Sequence, residues 1–139
     1  MRHRLPALLL VLGLPLLGVG LATPASAQTT AATVDVTSGT LVARGAAVDL
    51  SVTGTCETGS SGYVSLVVTQ RSGSGIAKGR GGTSLPCLSQ PATVTVRALA
   101  EADGGPFRVG DAVVTGSLDT WDDYGMYAVA VNETVRINR

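Results

Sequence analysis

Histidine is nearly missing from this 139-residue chain, and the single copy, His3, sits at the extreme N-terminus. Once that end is removed, as expected below, no Ser-His-Asp or Cys-His centre and no histidine-based metal site can be assembled. Charge is also sparse. Charged residues make up 14% of the chain, ten Lys/Arg offset ten Asp/Glu, and no basic stripe is interleaved with aromatics. A nucleic acid or an anionic membrane surface therefore finds nothing to grip. Aromatics amount to only 4%, so the core must be built from Val, Leu and Ala packing through branched side chains. Finally, no segment carries an i, i+3, i+4 apolar stripe of helical length, which leaves strands as the structural unit.

What is present begins with an address. Arg2, His3 and Arg4 form a positive n-region, an apolar run extends from Leu5 to about Ala22, and Ala25-Ser26-Ala27 supplies a small-x-small cleavage signature. Residues 1–27 are expected to be a cleaved signal peptide. Pro6, Pro15 and three glycines interrupt the run and no basic stop-transfer cluster follows it, so stable membrane insertion is not expected. The remainder, residues 28–139, is the size of a single domain with a slight acidic excess. Its setting is expected to be extracellular or the cell envelope. Gln28 to Ala32 is small and polar and reads as an unstructured lead-in.

Both cysteines, Cys56 and Cys87, lie in the exported part, where oxidising conditions favour a disulfide between them. No C-x-x-C spacing points to a redox pair instead. Cys56 ends the clearest strand, Ala47 to Cys56, in which Val48, Leu50, Val52 and Gly54 share its parity while Asp49, Ser51 and Thr53 take the other. Further strands are expected at Thr33 to Thr37, Tyr63 to Gln70, Ala92 to Leu99, Ala112 to Leu118 and Met126 to Ile137, with an irregularity at Asn132-Glu133. A Ser38-Gly39 turn and a short apolar piece at Leu41 to Ala43 follow the first strand. The stretch RSGSGIAKGRGG from Arg71 to Gly82 reads as a mobile connection or a weak edge strand. It lacks the order of a phosphate-binding loop.

Short strands recurring with turn signals predict an all-β fold, an immunoglobulin-like antiparallel β-sandwich of about seven strands. The lone tryptophan, Trp121, follows both cysteines, so the disulfide cannot join the strands that an antibody domain joins. The patterns Val48-x-Leu50-x-Val52-x-Gly54-x-Cys56, Gly81-Gly82-Thr83-Ser84-x-x-Cys87 and Phe107-x-x-Gly110-Asp111-Ala112 together resemble a family of uncharacterised small secreted actinobacterial proteins. That resemblance implies a signal peptide, one disulfide, an immunoglobulin-like fold and an envelope or extracellular setting, and it brings no catalytic or binding residues. A more distant likeness, in size and pattern, is to actinobacterial apo-chromoproteins. Those typically hold two disulfides, so their ligand binding is not carried over.

The candidate site is Asp119, Trp121, Asp122, Asp123 and Tyr124, expected on the loop between the last two strands. A ring beside hydrogen-bonding carboxylates suits a sugar, because the ring stacks on the apolar face of a pyranose. Clustered carboxylates could alternatively hold Ca²⁺, although the spacing is not that of an EF-hand loop. The plainest reading is that Trp121 packs over one end of the fold while the aspartates cap the turn. No cofactor and no metal are assigned. A glycosylation sequon at Asn132-Glu133-Thr134 falls within an expected strand and reads as coincidence.

Three functions follow from this. The preferred one is a non-catalytic secreted module, monomeric or weakly homo-oligomeric, that binds a protein or a cell-wall glycan through its loops. The second is a structural or self-associating envelope protein using edge strands. The third is a small hydrolase running on a carboxylate pair, Glu101 with Asp103 or Asp119 with Asp122, without histidine.

Overall fold

A computed structural model describes residues 32–139; the expected signal peptide and Gln28 to Ala31 lie outside the described residues. Seven strands follow in order: β1 (Thr33–Val42), β2 (Ala47–Thr55), β3 (Ser61–Ser72), β4 (Gly75–Pro86), β5 (Ala92–Ala100), β6 (Gly110–Asp122) and β7 (Gly125–Asn138), with one 3-10 turn at Ala43–Gly45. The all-β reading holds. The sandwich does not, because the strands close into a ring ordered β1-β2-β5-β4-β3-β6-β7. Alternating in-and-out side chains look the same in an open sandwich and a closed barrel. What decides between them is whether the outer strands find partners, and here they do. β4 pairs with β5 at Gly79↔Ala100 and Arg80↔Leu99, and β1 pairs with β7 at Gly39↔Ile137 and Thr40↔Asn138.

Both joints are short, while the other neighbours are zipped along most of their length. β3 and β4 form a hairpin paired from Ser61↔Pro86 to Ser72↔Gly75, and β6 and β7 pair from Gly110↔Ile137 to Asp122↔Gly125. β1 is one continuous strand, not a strand, a turn and a separate piece, and a bulge between Val36 and Ser38 absorbs the irregularity there. The irregularity expected at Asn132-Glu133 is absent from β7, which runs straight through it. Glu133 sits between buried Val131 and Val135 on the inward parity, and its carboxylate Oε2 accepts a hydrogen bond from the Val36 backbone N–H at 2.8 Å. At that point the barrel wall between β1 and β7 is closed by a side chain in place of a ladder.

The inward parities read from the sequence are the observed ones. Val48, Leu50, Val52, Gly54 and Cys56 on β2 and just beyond it are buried, as are Val64, Leu66 and Val68 on β3 and Val96 and Ala98 on β5. On β7, Val131, Val135 and Ile137 are buried, but Tyr127, which shares their parity, is 55% exposed. The first half of β7 extends past the region where β1 covers it.

The glycine-rich stretch from Arg71 to Gly82 is neither an irregular connection nor an edge. It supplies the β3–β4 turn and most of β4, a strand inside the ring. Its glycines answer to packing: a Cβ on Gly79 would lie 2.5 Å from the Leu99 carbonyl oxygen and 2.9 Å from the Phe107 ring, and one on Gly81 would collide with the backbone of Arg97. β5 therefore comes close enough to pair.

Two crossing connections close the ends of the barrel. The β5–β6 connection carries Phe107, 1% exposed, into one mouth, where its N–H donates to the Gly45 carbonyl at 2.9 Å. Gly45, at φ 95°, leaves no room for a side chain against the Phe107 backbone. Beside it the buried Gln70 amide pairs with the Arg108 backbone in both directions, Nε2 donating to the carbonyl at 2.8 Å and Oε1 accepting from the N–H at 2.8 Å. A polar side chain in the barrel interior is thereby fully satisfied. At the other mouth the β2–β3 connection starts at Cys56, which is bonded to Cys87 on the β4–β5 connection. A Cβ on Gly62 of β3 would lie 3.3–3.4 Å from both sulfurs. The expected disulfide is thus present, buried, and anchors the β2–β3 crossing to the connection between the neighbouring strands β4 and β5.

On the outside, Asp49 of β2 faces Arg97 of β5 in register. The guanidinium donates to both carboxylate oxygens at 2.7 Å, a bidentate pair that holds the Asp49 carboxyl below its ordinary value of 3.8.

Two outcomes follow. With a sequence separation of 31, opening the bridge by a Cys56→Ser/Cys87→Ser double substitution should lower the unfolding free energy by about 3–4 kcal/mol on the loop-entropy relation, read from urea titrations with and without reductant. Because Asp49 is depressed in the folded state, its contribution is complete above 3.8 and disappears as pH falls from there through the folded value. Asp49→Asn should therefore show a flatter decline of Tm below that pH than the parent, and superimposable Tm-against-pH curves would contradict the pairing.

Candidate functional site

β6 extends further than its apolar pattern suggests, so Asp119, Trp121 and Asp122 belong to a strand and not to a loop. Only Asp123 and Tyr124 remain as a two-residue turn between Asp122 and Gly125. The Asp122 carboxylate shapes that turn, since its Oδ1 accepts from the backbone N–H of Tyr124 at 2.7 Å and of Gly125 at 3.0 Å. An Asp does this readily because its short side chain reaches amides two and three residues on. Capping by an aspartate, one half of the plainest sequence reading, is what Asp122 does.

Trp121 does not pack into the core. Its odd position on β6 points outward, 44% exposed, with Ser61 of β3 and Met126 of β7 as its cross-strand neighbours. Tyr124 at the turn is 92% exposed. Ser61 begins β3 and is preceded by the β2–β3 crossing, which turns tightly through a Ser60 N–H to Glu57 carbonyl bond of 3.0 Å and a Gly59 at φ 91°. The crossing and the hairpin end thus lie side by side. An open groove of about 440 Å³ runs between them, lined by residues 57–61 on one side and by Trp121, Asp122, Asp123 and Tyr124 on the other.

Asp119 is not part of this groove. It lies one outward position further down β6, opposite Tyr63 and Ala128, and its carboxylate accepts from Ser117 Oγ at 3.2 Å. The five residues singled out in sequence therefore divide into four that converge and one that does not. Residues 57–61 complete the site, although the sequence shows them only as a turn-forming cluster. β3 neighbours β6 across a long stretch of chain, and no local signal encodes that adjacency; the nearest clue is that the cluster follows a cysteine directly.

The groove is acidic, with Glu57, Asp122 and Asp123 in its lining and no Lys or Arg. Among the described residues no group of three His, Cys, Asp or Glu side chains is placed to hold a metal ion. Of the carboxylates considered for acid–base work, Glu101 is engaged by Arg80, whose Nε and Nη2 donate to it at 3.1 and 2.6 Å, and it lies at the mouth opposite the groove. Asp119 and Asp122 make separate hydrogen bonds to different partners.

The fold and site together define a disulfide-closed, seven-stranded β-barrel with an acidic, aromatic-edged groove at the disulfide end. Comparison with protein-family models, with curated proteins and with solved structures returned no match.

Proposed function

We propose that this protein is a secreted, non-catalytic binding module that holds a cell-envelope glycan in the groove at its disulfide end. The observation that carries this reading is the pairing of two exposed rings, Trp121 and Tyr124, with a groove of about 440 Å³ rich in hydroxyls and carboxylates. That volume is in the range of small-molecule sites. Rings left in water on a strand end and a turn cost solvation, and a pyranose face removes that cost while Thr58, Ser60 and Ser61 offer hydrogen bonds to its hydroxyls. The signal peptide expected at residues 1–27 and the buried disulfide support an extracellular setting. Among the described residues no helix is long and apolar enough to cross a membrane.

A second reading rests on a different observation. The outer half of β7 pairs only with β6 on one side, and it exposes Met126 and Tyr127, 73% and 55% accessible, on a stretch without charge from Gly125 to Asn132. Such an edge can add a strand, as a self-associating envelope protein requires.

Trp121→Ala should abolish retention of the mature protein on insoluble cell-wall glycan while leaving Tm nearly unchanged, because a half-exposed ring contributes little to the core. A large fall in Tm would identify the ring as structural. Sedimentation velocity across a wide concentration range tests the second reading, and a concentration-independent monomer would remove it.

A further inference from the structure

The outer edge of β7 differs from the other open edges of the ring. β1 meets β7 at Gly39↔Ile137 and begins at Thr33, six residues before Gly39, so its first residue stands about level with Val131, six before Ile137. Among the described residues no strand lies beside Met126 to Ala130 on that side. Exposed edges are normally blunted by a bulge, a proline or a charge. β1 carries Asp35 and the bulge between Val36 and Ser38, β4 ends on Pro86, and β5 carries Arg97. From Gly125 to Asn132 β7 has none of these: it pairs with β6 without a break and holds no charged residue.

Resting on the self-association reading above, we propose that this edge pairs with the same edge of a second copy of the chain, antiparallel about Ala128, to give a closed two-fold dimer. A pairing that keeps the outward residues of one copy beside the outward residues of the other must set positions of like parity opposite each other. Of those registers, the one centred on Ala128 engages all five uncovered residues. Met126 then faces Ala130 of the second copy, Tyr127 faces its Val129, and Ala128 meets itself. Each large side chain, 73% exposed at Met126 and 55% at Tyr127, thereby lies against a smaller one, and an aromatic beside a β-branched residue is a favourable cross-strand pair. The small Ala128 leaves the axis free of bulk, and the uncharged stretch sets no like charges against each other. Because one edge serves both copies, pairing consumes it and assembly stops at two.

The test is sedimentation velocity of the mature protein over a wide concentration range, with Ala128→Lys, Ala128→Cys and Ala130→Cys alongside. The parent should pass from monomer to dimer and no further. Ala128→Lys, which sets two ammonium groups opposite each other on the axis, should raise the dimer dissociation constant about tenfold or more. Its Tm should stay near the parent's, because the position is exposed. Opposed residues of an antiparallel pair stand about 4.5–5.5 Å apart between Cα atoms, within the reach of a disulfide. Mild oxidation of Ala128→Cys should therefore give a covalent dimer. Ala130→Cys, whose two thiols stand four positions apart along the paired strands, should give none. A parent that stays monomeric at every concentration would overturn both this proposal and the self-association reading. Oligomers that grow past two, a dimer that Ala128→Lys leaves intact, or equal cross-linking at positions 128 and 130 would each overturn this proposal alone and leave self-association standing by another arrangement.

Discussion

Seven is an odd number, and that constrains everything else in this barrel. Going round the ring, each strand runs against its neighbour until β7 meets β1, where alternation has run out and the two must run the same way. A parallel pair cannot be made by a tight hairpin, so it has to join elements distant in sequence, here the first strand and the last. It is also, with β4–β5, one of the two joints with the shortest ladder. The Glu133 carboxylate on the Val36 N–H and the uncovered outer half of β7 both lie along this short joint.

The two mouths are closed by different means, and the difference places the groove. At one, a lone Phe107 enters above the small side of β4, where Ala77 and Gly79 leave room for its ring. At the other, Leu85 crosses the interior towards Gly54 of β2, and the disulfide rests against Gly62. Because covalent closure needs little side-chain bulk above it, the chain beyond Cys56 is free to be small and polar. That short, hydroxyl-rich crossing beside a hairpin end is what makes an open groove there and a plugged surface at the opposite end. The separation of framework from surface is thus spatially close: the groove begins one residue after the clamp.

Much of the framework is legible in the residues themselves. The two-residue period on β2, β3, β5 and β7 identifies the inward face, and the two cysteines form the bond expected of them. Where sequence reasoning fails, the cause is long-range. Alternation carries no information on whether outer strands meet, so a barrel and a sandwich are indistinguishable at that level. Gly79 and Gly81 suggest mobility when read alone, and only the approach of β5 and Phe107 shows that they are spacers. The polar end of β6 resembles a loop because its partners, Ser61 and Met126, are unknown until the ring is assembled. The same ignorance hides residues 57–61 from the site while making Asp119, which faces another patch, look like a member.

Closure between the first and last strands also sets an order of events. The β3–β4 and β6–β7 hairpins can form locally, but the ring stays open until Ile137 and Asn138 meet Gly39 and Thr40. Contacts that bridge nearly a whole domain are slow to form because chain entropy is lost before they reward it. The barrel is thus a fold that cannot be completed from either end alone, and β1 must wait, its outer edge unprotected, for the whole of the sequence that follows it.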